Sequence, residues 1–226
     1  MGGIIEMLTS NLEVFKENFF VAHNATFKTA VAINATPTAI SATEGMLSLY
    51  NSASRTGASD RNVLVIPLYI KLIAGTAATS GTDFSTRVAV DVIDRYSTGG
   101  SALTVSSTYV DTLSSWTRRT AKSTVYFGDL TLAAASSEKQ VGQQHWHIAS
   151  TAAQVAGDEF LLTFGDFQGP SALISSSAAQ KYHQVCTPVI LAPGTSMIMQ
   201  PFETAATGAA AFEIEMGIVE IKHSKV

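Results

Sequence analysis

The chain has 226 residues, of which 46% are hydrophobic and 14% charged, against roughly 25% charged in an average soluble protein. That composition can bury a sizeable core and excludes a disordered chain. The formal net charge of -4 and pI of about 5.7 give no support to binding nucleic acid, which needs a clustered basic surface.

The elements run from the amino terminus as short apolar or alternating segments, each followed by Gly, Ser, Thr, Asn or Pro. That rhythm predicts strands joined by turns. The segments are Phe15–Ala22, Phe27–Ile33, Met46–Tyr50, Val63–Ile73, Arg87–Asp94, Thr124–Leu132, Gln140–Ala149, Glu159–Phe164, Cys186–Leu191, Ser196–Pro201 and Ala211–Ile221. Helical signals are weak and confined to "IIEMLTSNLEVF" and "STYVDTLSSWTRRT". In "TRVAVDVIDR", Val88, Val90 and Val92 face one way and Arg87, Ala89 and Asp91 the other. In "AFEIEMGIVEI", Phe212, Ile214, Met216 and Ile218 share a face until Glu220 falls on it, which predicts a β-bulge near Gly217. "STGGSALT" reads as a Gly-Gly hairpin or wide turn. "TPVILAPGTSMIMQP" reads as a hairpin with a type II turn at Pro193-Gly194, and the prolines are expected at or near strand ends.

Eleven or so strands without βαβ spacing predict two packed antiparallel sheets, an all-β, jelly-roll-like sandwich with a short N-terminal arm. Residues 1–60 are expected to form that arm and the first strands, and 61–226 the sandwich core. The arm's amphipathic "LEVFKENFFVA" suggests docking on a partner or swapping between subunits, so Phe15, Phe19 and Phe20 are candidate contacts.

Several sequence features exclude other classes. The one cysteine, Cys186, cannot form an intrachain disulfide and fits a reducing compartment; its apolar neighbours "QVCTPVI" predict a buried, inert thiol. No secretory signal is apparent, because "MGGIIEMLTSNLEVF" lacks a basic start and carries Glu6. Position six is also Glu rather than the Ser or Thr of a myristoylation signal. The run "NVLVIPLYIKLIAG" is broken by Pro67 and Lys71 and is too short to span a bilayer, so no membrane partner is expected. The "NAT" triplets at Asn24 and Asn34 match a glycosylation sequon, which has no meaning without secretion. The basic group Arg118, Arg119 and Lys122 in "TRRTAK" reads as a solvated loop.

The sharpest chemical candidate is "GQQHWHIA", where His145 and His147 at i and i+2 on a strand would share a face as metal ligands do. Jelly-roll cupin enzymes carry such a pair, followed by a Glu and by a further His in a second motif. Here Thr151 and Ala152 stand where the Glu belongs, and no histidine lies between His183 and His223. Two ligands make a poor zinc or iron site, so the pair is rejected as a metal centre and no cofactor is expected. His145 and His147 read instead as the polar face of a strand whose other face carries Trp146 and Ile148. No Gly-x-Ser-x-Gly elbow, ordered triad or phosphate loop is present. Asp91/Asp94 would lie on opposite faces of one strand, and Asp158/Glu159 in a turn, so neither makes an acid–base pair. Trp116, with Tyr109 and Tyr126, suggests either a sugar-stacking surface or an anchor against a neighbouring subunit. No catalytic residue is assigned, and an enzyme is not expected.

Four segments, "RYSTGGSALT" (95–104), "VAGDEFLLTFG" (155–165), "PVILAPGTSMIMQPF" (188–202) and "AFEIEMGIVEI" (211–221), in this order and spacing, resemble a family of tailed-bacteriophage virion proteins. These are jelly-roll head proteins that decorate or cement the capsid, and the similarity spans roughly residues 60–221. The resemblance implies a homotrimer on the virion surface, made in the host cytoplasm and contacting the major capsid protein, with no active-site residues. A surface poor in charge, with Ala, Ser and Thr about a third of the chain, suits such permanent contacts because few ions are desolvated. The alternatives are another virion component (a head-fibre base, a tail protein or a jelly-roll capsid protein) or a carbohydrate-binding sandwich.

Overall fold

A computed structural model describes residues 18–26, 29–33, 39–56, 63–76, 83–107, 120–147, 157–165, 181–202 and 211–222. Among them are thirteen strands and no helix: β1 (Phe19–His23), β2 (Val31–Ala32), β3 (Glu44–Asn51), β4 (Val63–Thr76), β5 (Asp83–Asp91), β6 (Tyr96–Ala102), β7 (Thr104–Ser107), β8 (Ser123–Leu132), β9 (Lys139–His147), β10 (Glu159–Phe164), β11 (Lys181–Cys186), β12 (Ser196–Phe202) and β13 (Ala211–Lys222). Both segments with helical signals fall largely outside the described residues.

The strands form two sheets. Sheet A runs β11-β10-β4-β13-β1-β7, with β2 also paired to β13; sheet B runs β6-β8-β3-β12-β5-β9. Within them, β1-β13-β4-β10 and β3-β12-β5-β9 are antiparallel throughout. Their pairs nest in sequence: β1 with β13, β3 with β12, β4 with β10, β5 with β9. A ribbon of nested antiparallel pairs rolled into two facing sheets is the jelly roll. The remaining strands are insertions. β6, β7 and β8 sit in the β5–β9 connection; β8 and β6 extend sheet B, and β7 extends sheet A beside β1. β11 adds a parallel edge strand to β10.

The core lies between the sheets. Phe20, Ala22, Ile70, Leu72, Phe160, Leu162, Phe212, Ile214, Met216 and Ile218 of sheet A meet Leu47, Leu49, Val88, Val125, Phe127, Met197 and Met199 of sheet B. Phe160 and Phe212 meet edge to face, centroids 6.0 Å apart. The seam between β9 and β11 is tight: a Cβ on Gly142 would stand 2.3 Å from Cys186 Sγ. Cys186 is buried, and that burial pushes its thiol up from the ordinary value.

Several expectations need correction. Among the described residues of the stretch 1–60, β1 and β3 are interior strands of the two sheets. The bulge near Gly217 is present, but the extra residue is Leu68 of β4. Gly217 pairs with Tyr69 and Ile218 with Pro67, so the face changes in β4 while β13 keeps its alternation. The bulge also accommodates Pro67, which lacks the N–H a regular ladder needs. Gly99 and Gly100 do not turn the chain. Both have positive φ (87° and 62°) but lie inside β6, where they bulge against β8 as pairing continues to Ala102. At Leu103, whose amide donates to Val125 O, the chain runs on past the end of β6 and crosses to sheet A as β7.

The Pro193-Gly194 turn has the type II pattern, with Gly194 at φ 75° and the Thr195 amide on Ala192 O at 3.1 Å. It does not close a hairpin. Residues 187–190 are not a strand, and Leu191 makes only a bridge to Val65 of sheet A, whereas β12 belongs to sheet B. Side chains fix this crossing: Asn51 Nδ2 donates to Val63 O and Leu191 O, and Arg55 to Pro193 O and Val92 O.

Candidate functional site

The outer face of sheet A carries a groove that combines charged groups with apolar surface. Alternation puts Phe19, Val21 and His23 of β1, Glu213 and Glu215 of β13, and Tyr69, Lys71 and Ile73 of β4 on that face, opposite the core residues. Register sets His23 beside Glu215, and Glu215 beside Lys71. The loop after β1 raises one wall, giving a groove of about 370 Å³ lined by Val21, His23, Asn24, Lys71, Glu213 and Glu215 among others. Asn24 holds that loop: Oδ1 accepts the Ile214 amide at 2.6 Å and Nδ2 donates to Thr29 O at 3.3 Å. With its side chain engaged and 7% exposed, the first sequon serves the fold.

On this face the Tyr69 hydroxyl donates to Glu215 Oε1 at 2.7 Å. Burial, this hydrogen bond and the Glu215 charge push the Tyr69 phenol up to about 12. Its ring lies across Gly217, where a Cβ would meet Cε1 at 2.3 Å, so glycine is needed there. Lys71 reaches Glu159 at 3.8 Å. His23 Nδ1 is 2.8 Å from Asn24 O. The groove therefore presents carboxylates and an imidazole, with no nucleophile activated by a neighbouring base.

A second charged cluster has the opposite character. At the end of β5, Asp91 accepts the amides of Val92, Ser136 and Ser137 at 2.7–3.0 Å and Arg95 Nη1 at 3.3 Å. Burial alone would raise the Asp91 carboxyl; those amides and the guanidinium overcome it and hold the group below its usual range. Arg95, 1% exposed, also donates to Ala133 O, Ala42 O and Glu138. Glu138 pairs as well with Arg87, whose Nη1 donates to Gln200 Oε1 at 2.7 Å. Every member is engaged in joining three connections, which leaves none of it for chemistry. A third device crosses the sandwich: Glu220 Oε1, buried in β13, accepts the Lys122 and Ser123 amides and Ser123 Oγ at 2.6–2.8 Å.

The expected site residues fare differently. Phe20 is 1% exposed in the core, which corrects its reading as a contact residue: its alternation in β1 points it inward. Phe19 is half-buried on the outer face of β1. Phe15, Tyr109 and Trp116 lie outside the described residues, as do Arg118 and Arg119. Tyr126 does not wait for them, since it stacks on Tyr96 with centroids 3.6 Å apart. His145 and His147 occupy β9 opposite Ser85 and Asp83, with no bulge between them; their side chains lie outside the described residues. Among the described residues no group of three or more His, Cys, Asp or Glu is placed to hold a metal ion.

Sequence reasoning missed Arg95, Glu138 and Glu220. Arg95 and Glu138 gave no signal, because a charge just after a strand ordinarily reads as solvated. Glu220 did give one: a carboxylate two residues beyond Ile218 on an apolar face. Comparisons with protein-family models, curated proteins and solved structures found no match for the chain.

Proposed function

We propose that the protein is a structural component of a tailed-bacteriophage virion, a jelly roll that decorates the capsid and stabilises the head. It would assemble with copies of itself, as a homotrimer, on the major capsid protein. The observation that carries this reading is the complete jelly-roll strand order, with insertions that widen both sheets, an architecture recurrent in capsid domains. The most buried charges support it from another side, because they hold connections together and leave a polar outer face on sheet A for contact.

The mechanism is mass action. A protein that binds the assembled shell and not its dissociated subunits stabilises the shell by RT ln(1 + [L]/Kd) per site, and a trimer adds valency. The test is quantitative mass spectrometry of purified virions, joined to light scattering of the isolated protein. A copy number matching the head lattice and a trimeric mass are expected. Absence from virions together with a strict monomer would overturn the reading, and glycan binding through the Tyr96–Tyr126 surface would replace it with a carbohydrate-binding sandwich.

A further inference from the structure

We propose that Tyr96 and Tyr126 are an oxidative cross-linking site, where a one-electron oxidant joins the two rings by an ortho carbon–carbon bond. The proposal does not rest on the protein being a capsid component.

The geometry of the pair carries it. On the outer face of sheet B the two rings lie 3.6 Å apart between centroids and 3° from parallel. Carbon atoms pack at about 3.5 Å or more, so that distance leaves almost no lateral offset and the rings overlap face to face. Aromatic pairs ordinarily avoid this arrangement, because their negative faces repel, and take an offset stack or an edge-to-face contact instead. Phe160 and Phe212 in the core have the ordinary form, 6.0 Å apart at 83°. The surroundings impose the tyrosine sandwich. Both rings pack on the cluster of Ala89, Leu130, Leu132 and Ile198. Tyr96 is fixed further by its amide, which donates to Asp94 Oδ1 at 2.9 Å, and by its hydroxyl, which donates to Gly99 O at 3.1 Å. Tyr126 sits in β8 between β3 and β6, opposite Ser48 and Ala102.

Such a pair suits the loss of an electron. In the neutral state the two π faces repel, whereas positive charge on one ring is attracted by the face of the other. The arrangement that is poor for two intact phenols is therefore good for the oxidised pair. Two equivalents of oxidant remove one electron from each phenol, and each hydroxyl releases its proton. The two phenoxyl radicals then bond Cε to Cε. The hydrogens on those two carbons leave as protons, and the two oxygens take up protons again. The net change is the loss of two electrons and two protons. Because the fold already holds the rings in contact, coupling needs no encounter by diffusion. Both tyrosines are half-buried, within reach of a small oxidant, and the product ties β6, at the end of sheet B, covalently to β8.

The test is photo-oxidation of the dilute full chain with tris(bipyridine)ruthenium(II) and persulfate, followed by mass spectrometry of the monomer and its peptides. The expected result is a monomer lighter by two hydrogens, with dityrosine fluorescence. Within it Tyr96 should be joined to Tyr126 several-fold more often than any other two of the six tyrosines. Tyr96→Phe and Tyr126→Phe each keep a ring in place and remove a phenol, so each should fold as the parent does and lose that cross-link. Unfolding in urea before oxidation should remove the preference for the pair. Oxidation that stays on single tyrosines, or that joins other tyrosines or separate molecules in preference, overturns the proposal. So does a preference that survives urea, since it would owe nothing to the stack.

Discussion

The two sheets share one core and differ in what they do with their other faces. On sheet B the outward positions Ser48, Ala89 and Ile198 are 0% exposed, and Asp91 and Gln200 at most 3%. There the cluster of Asp91, Arg95, Glu138 and Arg87 is held by mutual ion pairs, backbone groups and Gln200. On sheet A the outward positions Val21, His23, Tyr69, Lys71 and Ile73 are half-buried and Glu215 is exposed, with acceptors left open. The lesson is that polar residues on a strand do not mark a contact surface by themselves. What separates the faces is whether each charge already has its partners, because a buried charge stripped of a partner is costly while a solvated one is nearly free to change.

That contrast is tested most strongly by Arg95→Ala. Removing the guanidinium leaves buried Asp91 without its cation, so a loss of about 3–5 kcal/mol is expected in urea unfolding. A loss below about 1 kcal/mol would show that the sheet B cluster is not a structural knot. Next in size is Gly217→Ala on sheet A, where the new methyl displaces the Tyr69 ring; about 1–3 kcal/mol is expected. Combining it with Tyr69→Ala should cost less than the sum of the single changes, since the clash disappears.

Acid should separate the faces further. Asp91 binds its proton less readily in the folded state than in the unfolded one, so its stabilisation is complete above the ordinary carboxylate range and is lost as pH falls through and below about 4. Asp91→Asn should flatten that dependence in denaturation curves taken across acid pH. Glu213→Gln with Glu215→Gln on sheet A should change stability by no more than about 0.5 kcal/mol. The smallest effect is spectroscopic. Tyr69 is raised from 10.0 to about 12 and burial also pushes Tyr96 up, so ultraviolet titration should find late tyrosinates, of which Glu215→Gln moves one back toward 10. Folded Tyr69 holds its proton more tightly, so any stability it gives is present below pH 10 and is lost between about 10 and 12.

Much of the fold was legible because strand alternation is a local property. Glu159–Phe164 was found at its observed boundaries, and the runs at Met46, Thr124, Ser196 and Ala211 within a residue or two. β6 and β7 were not found, since "STGGSALT" has the composition of a turn and only pairing with β8 and β1 makes it strand. The groove was not legible at all: Val21, Lys71, Glu213 and Glu215 are distant in sequence and meet through the register of β1, β13 and β4.

The sequence by itself determined that the chain is a β-sandwich with a buried Cys186 and a type II turn at Pro193-Gly194, and it marked an irregularity near Gly217 whose extra residue, Leu68, lies on the neighbouring strand. Each follows from alternation, apolar context or the φ requirement of glycine, all set within a few residues. Only the tertiary structure decided which charges are buried in structural clusters and which lie on an outer face. Arg95 and Glu213 are both charges at or beside strands, and nothing local tells them apart. Burial and partner geometry come from segments tens of residues away, and those decide that Arg95 joins three connections while Glu213 lines a groove.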